Sequence, residues 1–243
     1  MKLLVCGDIH CKPDILRKAL EATKWDKFIF LGDACDNWGA TQEQNIEMVK
    51  LLMDMKNKYE DAFVWLLGNH DWGYYDTSVR MSGHILMGES NVHYLMKEAK
   101  SMWDLFYFDG PTQTLFTHAG MGWDFLKETS GISVYDLRNM PGVNNPLNYI
   151  GPSCGGYSLS PSFIWARPDE VDALPTEVVK HQVVGHTPVE KIKKMNGLLV
   201  CDTFSQMPDG SFIGDKSLLL IDNQTGEAKA INLEGKDMYA VEL

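Results

Sequence analysis

The sequence predicts an α/β (α+β) fold in which a largely buried sheet carries helices on its faces. Short apolar runs recur along the chain and end in polar clusters, and stretches with helical spacing follow the first two of these runs. No apolar run is long enough to span a bilayer, so we expect no membrane partner. With 243 residues, of which 44% are hydrophobic, the chain can bury a full core, and we expect a single domain over residues 1–243.

The first part of the chain alternates between strands and helices. Strands are predicted at Lys2–Gly7, Lys27–Leu31 and Ala62–Leu67, because each is a short and nearly continuous apolar run. Helices are predicted at Pro13–Lys24 and Thr41–Lys58, where apolar residues recur at helical spacing. Ligands of such sheets bind beyond the carboxyl ends of the strands. The polar residues that follow these strands are therefore expected to share one site.

The second part of the chain adds shorter strands and one long loop. Strands are predicted at Thr114–Thr117, Gln182–Val184, Gly197–Val200, Ser217–Ile221 and Ala228–Ile231. The last two flank a polar turn and are expected to pair as a hairpin. Residues 139–162 are rich in Gly, Pro, Asn and Ser. This composition predicts a long surface loop, of the kind that often acts as a lid over a site.

Charge and cysteine content restrict the partners and the location of the protein. The net charge is -11, which argues against general nucleic-acid binding. An anionic substrate is still compatible with this charge, because bound divalent cations would reverse its sign locally. The five cysteines form no C-x-x-C pair, and the N-terminus lacks the pattern of a secretion signal. We therefore expect reduced thiols and a cytoplasmic location.

Five polar clusters follow predicted strands and carry residue types that bind metals. They are Gly7-Asp8-Ile9-His10, Gly32-Asp33-Ala34-Cys35-Asp36, Gly68-Asn69-His70-Asp71, His118-Ala119-Gly120 and Gly185-His186. Taken singly, each cluster is explained by a turn or a surface histidine. Together they contain four of the seven histidines, all directly after strands. Carboxylate, amide and imidazole donors suit Mn, Fe, Zn or Ni, so the set predicts a metal site.

The remaining histidines and the neighbouring cysteines lack such a setting. We interpret His84, His93 and His181 as structural or exposed residues. Cys11 and Cys35 lie beside candidate ligands, but the set of hard donors is complete without them. None of these five residues is expected to hold a metal.

The order and spacing of the clusters resemble the calcineurin-like metallophosphoesterase superfamily, with its D-x-H, G-D-x-x-D, G-N-H-D/E, H and G-H segments. The match extends from Asp8 to about His186. The resemblance implies a two-sheet β-sandwich flanked by helices. It also implies two divalent metal ions that activate a water against a phosphate ester. Manganese is the metal that we expect, with iron, zinc and nickel as alternatives.

The resemblance implies a role for each metal-binding position. The candidate metal ligands are Asp8, His10, Asp33, Asn69, His118 and His186. Asp8 and His10 are similar to the ligands of the first metal in the family. Asp33 is similar to the carboxylate that bridges both metals, and the other three residues to the ligands of the second metal.

Three further residues resemble the catalytic positions of the family. His70 is similar to the histidine that donates a proton to the leaving oxygen, and Asp36 would orient its ring. Trp165-Ala166-Arg167-Pro168 resembles a segment of the phosphoprotein-phosphatase branch, which also contains symmetrical dinucleoside polyphosphate hydrolases. In that segment Arg167 would bind phosphate, because a guanidinium fork can pair with two phosphate oxygens. Val184–Pro188 resembles the V-G-H-T-P segment of the same branch.

The function that we predict is hydrolysis of phosphate monoesters, as in serine/threonine protein phosphatases. Asn37 and Leu67 stand where that branch has arginines, so a nucleotide-directed hydrolase is a second hypothesis. Its substrates would be dinucleoside polyphosphates, nucleotides or phosphodiesters, and Tyr149 or Tyr157 would stack on a base. A catalytically silent binding protein is a third hypothesis, which the complete ligand set and His70 disfavour. In the first two cases the partner is a phosphorylated substrate, either a phosphoprotein or a nucleotide.

Overall fold

The chain folds as two β-sheets that share one apolar core, with helices packed against the sandwich. This computed structural model describes residues 1–85, 89–140, 142–172, 174 and 176–243. The two-sheet sandwich flanked by helices that the motifs implied is confirmed. Every strand predicted from the sequence is present, although several strand ends differ by one or more residues.

The described residues form the following elements in chain order. The strands are β1 (Lys2–Cys6), β2 (Lys27–Phe30), β3 (Phe63–Trp65), β4 (Tyr107–Asp109), β5 (Thr114–Phe116), β6 (His181–Pro188), β7 (Lys193–Met195), β8 (Leu198–Asp202), β9 (Leu218–Asp222), β10 (Ala228–Ile231) and β11 (Asp237–Val241). The α-helices are α1 (Pro13–Glu21), α2 (Gln42–Tyr59), α3 (Asn69–Tyr75), α4 (Glu89–Glu98), α5 (Trp123–Glu128) and α6 (Val134–Asn139). Among the described helices, none is long and apolar enough to cross a bilayer.

The strand order places the ends of the parallel strands close together. The first sheet has the order β11-β10-β9-β1-β2-β3, and the second has the order β4-β5-β6-β8-β7. β1, β2 and β3 are parallel to one another, and so are β5, β6 and β8. Parallel neighbours end at the same edge of a sheet. The loops after these strands therefore meet at one end of the sandwich.

Strand β1 shows why the sequence runs are apolar at every position. Leu3 and Val5 lie in the cluster between the two sheets. Leu4 and Cys6, on the opposite face, pack in the cluster that also contains helix residues such as Leu16. A strand that is buried on both faces needs apolar side chains at consecutive positions rather than at alternate ones. The same reason explains the continuous apolar runs of β2 and β3.

Helix α2 begins where its capping residues allow. The hydroxyl of Thr41 accepts a hydrogen bond from the backbone N–H of Gln44, and the Gln44 side chain accepts one from the backbone N–H of Thr41.

Helix α1 ends at Glu21, three residues before the predicted end at Lys24. The predicted hairpin is confirmed, because β9 and β10 are paired in antiparallel register.

Three strands escaped the sequence analysis. β4 and β7 have only three residues each, so no periodic pattern develops within them. β11 is an edge strand whose residues are exposed or half-buried, and the sequence analysis did not assign its short run DMYAV to a strand. β11 pairs with β10 and extends the first sheet beyond the predicted hairpin.

Residues 139–162 contain short 3₁₀ turns and contact the body of the protein. Pro146 and Leu147 are buried. The indole N–H of Trp72 in α3 donates a hydrogen bond to Oδ1 of Asn148 at 2.7 Å. Ile150 and Cys154 contribute to the wall of the pocket that contains the candidate site. The segment is thus anchored beside the site, and its action as a lid stays a prediction.

Candidate metal centre

The loops at one end of the sandwich bring the predicted metal ligands together. Potential ligand atoms of Asp8, His10 and Asp33 lie within 4.8 Å of one another, and so do those of Asp33, His118 and His186. Asp33 belongs to both groups. The sixth predicted ligand, Asn69, places Oδ1 3.0 Å from Nε2 of His118. Residues that follow β1, β2 and β5 therefore converge on the Asp33 carboxylate with His186 of β6 and Asn69 of the first turn of α3.

Backbone strain is concentrated in the same loops. His10, Asp33, Asp36 and His186 have positive φ angles of 46°, 56°, 61° and 62°. Non-glycine residues rarely adopt this conformation, and such strain persists where the surrounding structure enforces it. The backbone N–H of His186 donates to both oxygens of Asp8, each at 3.0 Å. The left-handed turns thus direct the side chains toward the centre of the site.

Two glycines permit the close approach of the loops to the carboxylates. A Cβ atom on Gly68 would collide with the backbone and side chain of Asp33. A Cβ atom on Gly185 would collide with Oδ1 of Asp8. These contacts explain why glycine precedes Asn69 and His186 in the sequence clusters.

Backbone carbonyls orient the imidazole rings. Nδ1 of His10 lies 3.1 Å from the carbonyl oxygen of Cys35, and Nδ1 of His118 lies 2.8 Å from that of Leu31. A carbonyl oxygen only accepts hydrogen bonds, so these Nδ1 atoms carry the proton and donate it. Each Nε2 then faces the site and is the ring atom that would bind a metal, as in the common arrangement of metal-bound histidines. Nε2 of His186 lies 3.2 Å from the carbonyl oxygen of Trp165. Nδ1 is therefore the ring atom of His186 that would bind a metal.

Burial and neighbouring charges set the protonation of the ligands. Burial, together with the charges of Asp202 and Asp33, raises the pKa of Asp8 well above its ordinary value. Burial also acts to raise the pKa of Asp33, but His118 and other nearby histidines outweigh it and hold this pKa low. Burial lowers the pKa of His10 to about 4. Burial and the nearby Arg167 hold the pKa of His186 well below its usual range.

These protonation states fit a metal site. His10 and His186 are neutral near pH 7, which is the form that binds a metal. The carboxylate of Asp33 is charged and is shared by both ligand groups. The donors are carboxylate oxygens, an amide oxygen and imidazole nitrogens, which together suit divalent ions of the first transition series. The residues of this chain therefore fit the metal-dependent chemistry that the motifs indicated.

His70 lies beside this centre and is held by Asp36. Nδ1 of His70 is 3.0 Å from Oδ2 of Asp36, and the backbone N–H of His70 donates to Oδ1 of Asp33. Burial lowers the pKa of His70, but the carboxylates of Asp33 and Asp36 outweigh this effect and raise the pKa to about 9. The ring is therefore protonated near pH 7 and can act as a proton donor.

Asp36 receives support that the sequence analysis missed. The hydroxyl of Tyr74 donates to Oδ1 of Asp36 at 2.7 Å. Asn45 donates to the Tyr74 hydroxyl through Nδ2, and its Oδ1 accepts from the backbone N–H of Asp36. His84 stacks on Tyr74 with ring centroids 4.3 Å apart, and its side chain is only 3% exposed. His84 thus lies much closer to the site than the sequence indicated.

Asp71 connects two of the site loops. Its Oδ1 accepts hydrogen bonds from the backbone N–H groups of Ala34 and Cys35, and its Oδ2 accepts one from that of Gly68. Burial and the charge of Asp33 raise the pKa of Asp71 to about 6. Asp71 lies in the first turn of α3, directly after His70, and its place in the Gly68-Asn69-His70-Asp71 cluster was the sequence signal for this role.

A pocket of about 490 Å³ opens onto the site. Its lining includes the predicted residues His10, Asp33, Asp36, Asn69, His70, Arg167 and His186, together with Trp38 and Arg80. Among the described residues, the lining of this pocket includes neither Tyr149 nor Tyr157. Tyr149 packs edge-on against Phe125, and Tyr157 is 95% exposed. A larger groove of about 1030 Å³ lies at the other end of β1, and its described lining lacks the predicted site residues.

Arg167 reaches the site from the loop before β6. Its Nη1 donates to the carbonyl oxygen of His186 and, at 3.3 Å, to Oγ1 of Thr187. Asn37, one of the two positions where the resemblance implied an arginine, donates through Nδ2 to Oε1 of Gln206 at 2.9 Å. Leu67 is fully buried in the core. The two substituted positions therefore have structural contacts in this protein.

The sequence model of one protein family matches almost the whole chain. It is described as calcineurin-like phosphoesterase and matches residues 1–213. Among curated proteins, the serine/threonine-protein phosphatase PP1-delta of Caenorhabditis elegans is 28% identical over 184 residues. This alignment covers 69% of the chain and 50% of that phosphatase, so the chain spans about half the length of the relative.

Solved structures show the same fold. A cold-active protein-tyrosine phosphatase from a psychrophilic Shewanella species has a TM-score of 0.66 and 17% identity, covering 98% of this chain and 79% of its own. A protein serine/threonine phosphatase from Saccharomyces cerevisiae, similar to human phosphatase PP5, has a TM-score of 0.56 and 15% identity. The match covers 83% of this chain and 66% of that phosphatase. Since the family model matches residues 1–213, which include the whole candidate site, the chain belongs to the calcineurin-like phosphoesterase family, whose enzymes hydrolyse phosphoesters.

Proposed function

We propose that this protein is a phosphomonoesterase that uses two divalent metal ions. The observation that carries the proposal is the sharing of Asp33 by two groups of ligand atoms, each within 4.8 Å. A buried carboxylate with a lowered pKa and histidines on both sides is suited to hold two cations next to each other. Mn²⁺ is the ion that we propose, with Fe, Zn and Ni as alternatives.

The side chains around the pocket support a division of roles. The ions, when bound, would lower the pKa of a water molecule and neutralise charge on the phosphate. His70, protonated near pH 7, would donate its proton to the leaving oxygen, and Asp36 would hold the ring in place. Arg167, on the pocket wall, would pair with phosphate oxygens. Residues 139–162, which form part of the same wall, would cover the substrate.

The first test is hydrolysis of p-nitrophenyl phosphate and of bis(p-nitrophenyl) phosphate by protein stripped of metal and then supplied with Mn²⁺. We expect manganese-dependent cleavage of the monoester. Cleavage of the diester alone would replace the proposal with a phosphodiesterase. No cleavage of either ester by protein that retains two metals per chain would contradict it.

One feature favours a nucleotide-directed hydrolase as the second candidate. Trp38 lines the pocket and 56% of its surface is exposed, so its indole is available to stack on a base. A direct competition between diadenosine tetraphosphate and a phosphopeptide separates the two candidates. Much faster turnover of the dinucleotide would favour the second one.

The relatives named above suggest a phosphoprotein as the natural substrate, and the state of the cysteines supports a cytosolic location. All five cysteines are free, and four of them are buried. Thiols that remain reduced are typical of the cytosol. Fractionation of the source cells, with detection of the protein in each fraction, tests this location.

A further inference from the structure

One arginine in the pocket wall makes no polar contact within the part of the chain that the structure describes. The sequence contains four arginines, Arg17, Arg80, Arg138 and Arg167. Arg17 pairs with Asp14 and Glu47, Arg138 donates to Asp104 and to a backbone carbonyl, and Arg167 donates to His186 and Thr187. Arg80, by contrast, is exposed and lines the pocket, and it makes no hydrogen bond or ion pair with any described residue.

The segment that carries Arg80 is fixed against the candidate metal centre. It follows α3, the helix that begins with Asn69 and His70. The next residue, Met81, is only 7% exposed, and its Sδ lies 3.6 Å from Nδ2 of Asn69. Met81 also packs against Gly73 of α3. Arg80 is therefore adjacent in the chain to a residue that contacts a predicted metal ligand.

The described lining of the pocket contains few side chains with a positive charge. Asn37 also lines the pocket, but its side chain is engaged with Gln206 and with the backbone N–H of Trp38. In the described lining, Arg80 and Arg167 are the side chains with a permanent positive charge. A phosphate monoester carries two negative charges and three non-bridging oxygens, which suits more than one guanidinium group.

We propose that Arg80 is a substrate-binding residue that pairs with the phosphate oxygens together with Arg167. The proposal deepens the proposed phosphomonoesterase function and rests on it. An arginine without a competing carboxylate can turn toward a ligand without breaking an ion pair. Because a diester has fewer free oxygens and one charge less, this residue would favour monoesters over diesters.

The test compares Arg80→Gln and Arg80→Lys with the wild-type protein, all loaded with Mn²⁺. Arg17→Gln is the matched control, because it also removes one arginine charge and Arg17 is not among the described residues that line the pocket. We would measure the dissociation constant of inorganic phosphate by calorimetry, and kcat and KM on p-nitrophenyl phosphate and its bis ester. Metal content and thermal midpoint of each variant show whether the fold and the centre are intact.

We expect Arg80→Gln to weaken phosphate binding and to lower kcat/KM on the monoester by roughly 10- to 100-fold, the range for one charge-assisted contact. The effect on the diester should be smaller. Arg80→Lys should recover part of the loss, since lysine keeps the charge but not the planar fork. Arg17→Gln should behave as wild type.

Equal phosphate affinity in Arg80→Gln and wild type would overturn the proposal, and so would absence of phosphate binding by the loaded wild-type protein. A loss of equal size on monoester and diester would overturn the selectivity that we assign to Arg80. The proposed phosphomonoesterase function is contradicted by a different result, namely the lack of metal-dependent monoester cleavage by the wild-type protein. Phosphate calorimetry would still test Arg80 in that case.

Discussion

Nδ1 of His70 lies 3.0 Å from one carboxylate oxygen of Asp36, while the hydroxyl of Tyr74 donates to the other oxygen at 2.7 Å. Asp36 is 1% exposed, so both of its oxygens are occupied inside the protein. The carboxylate thereby holds the His70 ring in one orientation and favours its protonated form. This arrangement leads to the first two predictions.

Replacement of His70 by asparagine is expected to reduce turnover without removing the metals. His70 is not a member of either ligand group, so metal content per chain should stay near the wild-type value. Loss of a proton donor should lower kcat by about 10²- to 10⁴-fold on esters with poor leaving groups. The wild-type rate should fall as pH rises through the pKa of His70, and this alkaline limb should be absent from the variant. Metal loss equal to the activity loss would contradict the donor role.

Asp36→Asn is expected to shift the pH profile rather than to abolish activity. The negative charge of Asp36 helps to raise the pKa of His70, so its removal should lower that pKa. The alkaline limb should therefore move to lower pH by roughly one pH unit or more. Tyr74→Phe removes a hydrogen bond to Asp36 but no charge, and it serves as the control with a smaller shift. An unchanged profile in Asp36→Asn would rule out this coupling.

The shared position of Asp33 predicts different metal losses in two variants. Asp33→Asn should lose both ions, because Asp33 belongs to both ligand groups. His10→Ala should lose only one ion, because His10 belongs to the first group alone. Metal content by mass spectrometry after gel filtration tests both expectations. Two retained ions in Asp33→Asn would disprove the bridging role.

Much of the fold was predictable because its strands are buried on both faces. β1 and β2 read as continuous apolar runs, and α2 shows clear helical spacing with Thr41 at its cap. Very short strands such as β4 and β7 carry no such pattern, since three residues are too few for one to develop. The arrangement of two sheets came from the family resemblance, because periodicity does not say which strands pair.

The candidate site was predictable where ligands directly follow strands. Asp8, Asp33 and His118 fall at strand ends, and the parallel order brings those ends together. Tyr74, Asn45 and Arg80 were not predictable in this way. Their contacts with the site depend on how α2, α3 and the segment after α3 pack, and no local pattern in the sequence encodes that packing.

Metal binding is expected to stabilise the protein and to strengthen with pH. Below the raised pKa of Asp8, its carboxyl group holds a proton that the metal must displace. Affinity for Mn²⁺ should therefore rise by up to about tenfold per pH unit at pH values below the pKa of Asp8 and level off above it. His10, with its pKa lowered to about 4, adds no such dependence near neutral pH. Calorimetry in buffers of different ionisation enthalpy counts the released protons, and pH-independent affinity would contradict this account.

The stabilisation itself can be followed by thermal denaturation. At a metal concentration 100-fold above Kd, binding contributes about 2.7 kcal/mol. For a domain of this size, this corresponds to a rise in Tm of roughly 5–10 °C above the chelated protein. Equal melting curves with EDTA and with Mn²⁺ would show that the ions do not bind the folded state.

Gly185→Ala should damage the first ligand group selectively. A Cβ atom at position 185 collides with Oδ1 of Asp8, whose side chain is only 1% exposed. Overpacking of this kind costs about 1–3 kcal/mol of stability and should displace Asp8. We expect loss of one metal ion and most of the activity. Gly110→Ala, where an added Cβ meets nothing within 4 Å, is the matched control and should retain both ions. Normal metal content in Gly185→Ala would mean that Asp8 does not need its present position to bind metal.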